Sequence, residues 1–251
     1  MEMQTFTRNI TVRQDECDLR NEMTAAAFLR RAQQLAIDHC NAVGLTDEVY
    51  ARTGTAFLMA KATVRLLRPV CVNQTLTATT IPALPRRAAC NRFTTFLDEN
   101  GQEVAVCDSR WVLVDIKSRH ILRHPPAEMN FPFVLPEDRQ LPFDLPRVAL
   151  QGEGETIRAA YSLCDCNGHI NNTRYADILC DALPCSALKN ARISVLTINY
   201  HSEVPYGHSF SLQTAEGEDG YWYLCGHKEG HRCIEAGIWL APVSNRKRQH
   251  S

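Results

Sequence analysis

Residues 24–44 read TAAAFLRRAQQLAIDHCNAVG, with Phe28, Leu29, Leu35, Ala36 and Val43 at helical intervals and Gly44 where a glycine closes a helix. Strand-like runs follow at Ala56–Leu67, Gln74–Ile81, Cys90–Asp98 and Gln102–Asp115, with a short one at His120–Leu122. Asp98-Glu99-Asn100-Gly101 offers a hairpin turn between two of them. The same order returns downstream. A helix is predicted over Asn171–Leu183, stopped before Pro184, and then strands at Ile193–His201, Ser209–Ala215, Tyr221–His227 and His231–Leu240.

One helix followed by antiparallel strands, repeated once, is an α+β pattern. A sheet wrapped around one long helix is the hot-dog fold, so the order of elements predicts a tandem double hot-dog in one chain. The halves also align in detail. Cys17-Asp18-Leu19-Arg20 matches Cys164-Asp165-Cys166-Asn167, Val64–Val72 matches Ile198–Tyr206, and Trp111 matches Trp239. Between the halves lie Pro125, Pro126, Pro132, Pro136, Pro142 and Pro146, which forbid a long helix or a central strand. The expected division is therefore residues 1–124, a Pro-rich linker over 125–147 that wraps the surface, residues 148–243, and a basic tail over 244–251.

Composition narrows the function classes. The chain has 251 residues, 45% hydrophobic and 22% charged, which excludes disordered and fibrous proteins. A formal net charge of −1 argues against nucleic-acid binding through bulk positive charge. Eleven cysteines include no C-x-x-C pair and no Cys/His cluster at zinc-like spacing, so no metal or other cofactor is expected. The first residues lack an apolar signal core, and no apolar run approaches the length of a membrane span. A cytoplasmic protein with reduced thiols and no integral membrane segment is the expectation.

The stretch richest in chemistry is Asp165-Cys166-Asn167-Gly168-His169-Ile170-Asn171-Asn172-Thr173-Arg174-Tyr175. Asn167 and His169 precede a helix start, where free N–H groups and the helix dipole favour developing negative charge. The same loop also reads as a polar helix cap. Glu203 stands where the strand from Ile193 runs out, either as a solvated carboxylate or, beside the Asn/His loop, as a general base. In the first repeat the matching positions are Glu22 for His169 and Pro69 for Glu203, so only one half carries this set.

Asp165-x-Asn167-x-His169-Ile170-Asn171-Asn172-x-x-Tyr175, followed by Tyr200-x-x-Glu203, resembles the acyl-acyl carrier protein (acyl-ACP) thioesterase family of plants and bacteria. Pro85-Arg86-Arg87 and Ser109-Arg110-Trp111-Val112 add to the likeness, which spans about residues 3–243. The resemblance implies that Asp165, Asn167, His169 and Glu203 are catalytic, and that the first repeat contributes to the acyl pocket and so to chain-length choice. It departs from the plant branch at Val204, where those members carry a cysteine once proposed as nucleophile; a covalent route through that position is closed. Hydrolysis by water activated at Glu203 is the expected mechanism, with Asn167 and His169 positioning water and substrate and Asp165 orienting the loop.

Charge is uneven along the chain. Residues 61–125 hold ten basic and five acidic side chains, whereas residues 151–220 hold four basic and nine acidic ones. A basic region suits a strongly acidic carrier protein, and Arg86 and Arg87 are the expected contacts, although such arginines also decorate solvated strand faces. Two readings compete with acyl-ACP hydrolysis: an acyl-CoA thioesterase of the same fold, and a non-catalytic acyl-binding hot-dog protein. A homo-oligomer stays open, since the repeat already supplies the usual hot-dog pairing.

Overall fold

A computed structural model of the chain describes residues 4–86, 88–129, 133–134 and 141–243. Its strands are β1 (Phe6–Thr11), β2 (Thr55–Leu66), β3 (Thr75–Pro82), β4 (Ala89–Leu97), β5 (Glu103–Asp115), β6 (Glu155–Arg158), β7 (Ala191–Tyr200), β8 (Ser209–Glu216), β9 (Tyr221–Lys228) and β10 (His231–Pro242). All join one antiparallel sheet in the order β1-β3-β4-β5-β2-β7-β10-β9-β8-β6. The halves meet at its centre, where β2 pairs with β7 from Lys61↔Asn199 to Arg65↔Val195. The Thr63 and Thr197 hydroxyls lie 3.0 Å apart across that seam.

Helix α1 (Ala25–Ala42) begins where Thr24 Oγ1 accepts the Ala27 N–H at 3.1 Å, and Gly44 follows its end at φ +85°, a conformation that suits glycine. Its buried face includes Phe28, Leu29, Ala32 and Leu35 and packs on β1, β2, β3, β5 and β7. The Phe28 ring meets Phe96 of β4 edge-on, centroids 5.0 Å apart. Each such fully buried phenylalanine contributes about 1.5–3 kcal/mol. In the second half, α3 (Arg174–Asp181) buries Tyr175, Ala176 and Leu179 against the same face, which carries Ile234, Ala236 and Ile238 of β10.

The opposite face is covered by residues 141–150. The Leu141 N–H donates to Asp108 at 3.1 Å, Thr63 donates to the Pro142 carbonyl at 3.1 Å, and Tyr221 to the Pro146 carbonyl at 2.8 Å. Leu145, Val148 and Leu150 pack on Tyr221, Tyr223 and Cys225. This segment thus lies along the sheet without joining it, and Pro142 and Pro146 within it have no N–H to offer a ladder.

Repeat symmetry extends to single hydrogen bonds. Cys17 bridges Met23 as Cys164 bridges Ile170, and Glu22 bridges Cys71 as His169 bridges Pro205. Asn21 at φ 64° stands where the second half has Gly168 at φ 76°.

Some elements differ from the sequence expectation. The second helix starts at Arg174 rather than Asn171, because Asn171 Oδ1 accepts the Thr173 N–H and hydroxyl (2.9 and 2.7 Å) and holds those residues in a turn. Edge strands β1 and β6, and the short helices α2 (Asp47–Thr53) and α4 (Cys185–Leu188), were not anticipated. The stretch expected as a strand at His120–Leu122 makes a single bridge, Ile121 to Val114. Arg87 and the basic tail over 244–251 lie outside the described residues.

Candidate active site

The loop entering α3 is folded by its own side chains. Asp165 Oδ1 accepts the Asn167 N–H and Oδ2 accepts Asn171 Nδ2, each at 2.9 Å, while Gly168 takes the positive φ needed to turn back. The turn docks on the chain after β7: the Ile170 N–H donates to the Val204 carbonyl at 3.0 Å and the Tyr206 N–H to the Gly168 carbonyl at 2.9 Å. From below, Tyr200 donates its hydroxyl to the Asn172 carbonyl at 2.9 Å and stacks edge-on against Tyr175.

That docking brings two of the expected residues together. His169 Nε2 stands 3.5 Å from Glu203 Oε1, with the imidazole half-buried and the carboxylate open to solvent on one side. His169 Nδ1 lies 3.2 Å from the Ile170 carbonyl, an acceptor only, so the contact is a hydrogen bond when Nδ1 carries the proton. In the tautomer with the proton on Nδ1, Nε2 and Oε1 are then both acceptors, and a water bridging them would donate to both and keep a lone pair free. The Lys228 ammonium donates to the Glu203 carbonyl at 3.1 Å and fixes the backbone beneath the carboxylate.

Asn167 is exposed at the mouth of this loop, next to the pair in sequence, and its backbone rather than its amide is engaged by Asp165. Many backbone donors of the loop are committed: those of Gly168, Ile170, Asn171 and Arg174 to carbonyls, and that of Thr173 to Asn171. The His169 and Asn172 N–H groups make no such bond among the described residues. The expected reserve of helix-entrance donors is therefore smaller than the sequence suggested, because Asn171 caps the turn.

The first repeat shows the same frame with other chemistry. Asp18 Oδ1 accepts the Arg20 N–H at 2.8 Å, but Arg20, at the position of Asn167, also closes on Asp18 Oδ2 at 2.9 Å and donates to the Leu188 carbonyl at 3.0 Å. Glu22 and Pro69 occupy the places of His169 and Glu203. That loop carries an ion pair of its own, Asp18 with Arg20, and the arginine ties it to the second half through the Leu188 carbonyl.

Burial, then the Asp165 charge, push the Cys164 thiol up, which disfavours the thiolate, and Cys166 is exposed. Val204 is fully buried in the core. Arg86 is exposed in the turn between β3 and β4. Sequence reading missed one side chain at the site. Arg119, from the loop after β5, places Nη1 3.7 Å from Glu203 Oε2. It was counted among the basic residues of the first half, and only the sheet pairing shows that it reaches Glu203. A cleft of about 310 Å³ between α1 and the loop that enters α3 touches Asp165 and Asn171 but neither His169 nor Glu203. Among the described residues no helix is long and apolar enough to cross a membrane.

Comparison with known proteins agrees with this architecture. A palmitoyl-acyl carrier protein thioesterase of Gossypium hirsutum chloroplasts is 22% identical over 213 residues, covering 79% of this chain and 52% of that protein. A chloroplastic acyl-[acyl-carrier-protein] hydrolase, FATB3, of Cuphea viscosissima is 20% identical over 215 residues with the same coverage. The chain spans about half the length of these curated relatives. Among solved structures, the 12:0-ACP thioesterase of Umbellularia californica superposes with a TM-score of 0.85 at 18% identity, covering 97% of this chain and 99% of that one. An acyl-ACP thioesterase from Bacteroides thetaiotaomicron gives 0.83 at 17% identity, with 95% and 98% covered. These likenesses establish the double hot-dog fold. Residues 3–129 match the model of the acyl-ACP thioesterase N-terminal domain and residues 150–234 that of the C-terminal domain, so the chain belongs to the acyl-ACP thioesterase family.

Proposed function

We propose that the protein hydrolyses fatty acyl-ACP thioesters to free fatty acid and holo-carrier protein, ending or diverting chain synthesis. The observation that supports this is the approach of His169 Nε2 to Glu203 Oε1, 3.5 Å apart. Glu203 accepts a proton as the water oxygen attacks the thioester carbonyl, and collapse of the tetrahedral adduct expels the carrier thiolate. His169 aims the water, Asn167 at the loop mouth binds the substrate, and Asp165 holds the loop that presents both. No covalent acyl-enzyme is needed. Residues 148–243 supply this chemistry, residues 1–124 hold the acyl chain, and 125–147 connect them.

The partner is the acidic carrier bearing its phosphopantetheine-linked acyl group, steered by the basic first half. Arg86→Glu with Arg87→Glu should raise KM for acyl-ACP more than for a small free thioester; equal losses on both remove the docking assignment.

The deciding experiment measures thiol release from acyl-ACP and from acyl-CoA of one chain length. A general base contributes about 10²–10⁴-fold, so Glu203→Gln should lower kcat by that order while leaving the melting temperature nearly unchanged. Turnover near wild type in Glu203→Gln rejects the base. A higher kcat/KM on the CoA ester moves the substrate to acyl-CoA, and saturable acyl binding without thiol release makes the protein a binding module.

A further inference from the structure

The loop that follows β5 is built to present one side chain. Asp115 Oδ1 accepts the Ser118 N–H at 2.7 Å and its hydroxyl at 2.8 Å, and the Arg119 N–H donates to the Asp115 carbonyl at 2.9 Å. The Asp115 N–H closes the turn on the His120 carbonyl at 3.0 Å. Arg119 sits within it at φ 60°, a left-handed conformation uncommon for a residue that is neither glycine, asparagine nor aspartate. Strain of this kind persists where neighbouring bonds over-determine it, and here they aim the guanidinium across the boundary between the repeats.

Its target is the carboxylate of Glu203. Nη1 of Arg119 lies 3.7 Å from Oε2, while Oε1 faces His169 Nε2 at 3.5 Å. The two oxygens are shared between groups from the two halves, and the Glu203 backbone is held independently by Lys228. The carboxylate is 39% exposed, so water reaches it from the open side.

We propose that Arg119 is a positioning residue for the hydrolytic base: by occupying Oε2 it keeps Oε1 turned toward His169 and the attacking water. This rests on the hydrolytic reading above. The site is then composite, assembled in the second repeat and oriented from the first. Arg119 itself is 74% exposed, so solvent screens the pair and the effect is modest, about two- to fivefold in rate.

The test is a double-mutant cycle on the full chain, using wild type, Arg119→Gln, Glu203→Gln and the double variant, with acyl-ACP and a small acyl thioester as substrates. Arg119→Gln should lower kcat two- to fivefold on both substrates with KM unchanged, and Arg119→Lys should recover most of the loss. In the Glu203→Gln background, removing Arg119 should change nothing. An equal loss in both backgrounds, an unchanged kcat, or a rise in KM confined to acyl-ACP overturns the proposal, the last making Arg119 a docking contact. A wild-type chain that releases no thiol overturns the hydrolytic reading as well, whereas an active wild type with additive losses rejects the role of Arg119 alone.

Discussion

Asn171 donates from Nδ2 to Asp165 Oδ2 at 2.9 Å and, through its own Oδ1, receives the Thr173 N–H, so one amide couples the loop before α3 to the start of that helix. The Asp165 carboxylate acts on the loop rather than on the pair itself: its oxygens accept from Asn167 and Asn171, while its backbone N–H donates to the His169 carbonyl at 3.1 Å. Asp165→Ala loses two hydrogen bonds to a charged group, a cost of about 2 kcal/mol. The melting temperature should drop by about 4–8 °C. Misplacement of His169 should lower kcat on the order of 10²-fold. Circular dichroism melts alongside thiol release check both; a melt shift without a kinetic loss separates Asp165 from the chemistry.

Asp108 predicts an unusual pH dependence. Burial, opposed by the Leu141 N–H and the charge of Arg110, pushes its carboxyl up from 3.8 to about 6. A carboxyl raised in the folded state binds its proton more tightly there than in the unfolded chain. Its contribution to stability is therefore fully present below the ordinary carboxylate value and is lost as pH rises through about 6. The melting temperature of Asp108→Asn relative to wild type should climb between pH 4 and pH 7. A flat difference across that range contradicts the assignment.

Glu235 acts in the opposite sense. Burial would raise it, but the Tyr223 hydroxyl and then Arg232, with His201 and Arg147, outweigh burial and hold it below the usual range. Stability from this group exists above the ordinary carboxylate value and disappears as pH falls through the lowered one. Glu235→Ala leaves the buried Tyr223 hydroxyl without its acceptor, while Arg147, Arg232 and His201 are exposed enough for water to take over, a loss of about 1–3 kcal/mol. The melting temperature should fall by about 2–10 °C at pH 7, and the gap should narrow toward pH 3.

Gly237 marks where the connecting segment rests on the sheet. A Cβ there would come within 2.8 Å of Leu145 Cδ2 and 2.8 Å of Tyr221 Cε2. Gly237→Ala should cost about 1–3 kcal/mol through overpacking. It should also raise proteolytic nicking of residues 141–150. Unchanged cleavage would mean that the segment is held by its hydrogen bonds to Asp108, Thr63 and Tyr221 alone.

The long elements were legible because their apolar residues repeat strongly. Phe28, Leu29 and Leu35 mark α1, and the alternation in β4, buried at Cys90, Arg92, Thr94 and Phe96, survives even where polar residues take inward places. Helix α2 was not, since its DEVYART sequence buries no residue and so carries no periodic signal. Strands β1 and β6 escaped for a related reason: as sheet edges they bury little, only Phe6 in β1 and nothing in β6. The His169 and Glu203 partnership could be guessed from residue types, but the Arg119 contact depends on where β5 ends relative to β7. That relation exists only in the sheet order, through β2, and no local pattern encodes it.

The β2–β7 ladder joins two unlike copies in a single polypeptide. In a homodimer with a twofold axis, any change to one entrance loop appears in both, and a mutation that silences one centre silences its twin. Here each loop drifts alone. Asp18 and Arg20 close on each other and brace the second lobe through Leu188, while Asn167 stays exposed and His169 faces Glu203, a divergence open to a fused pair and closed to a symmetric one.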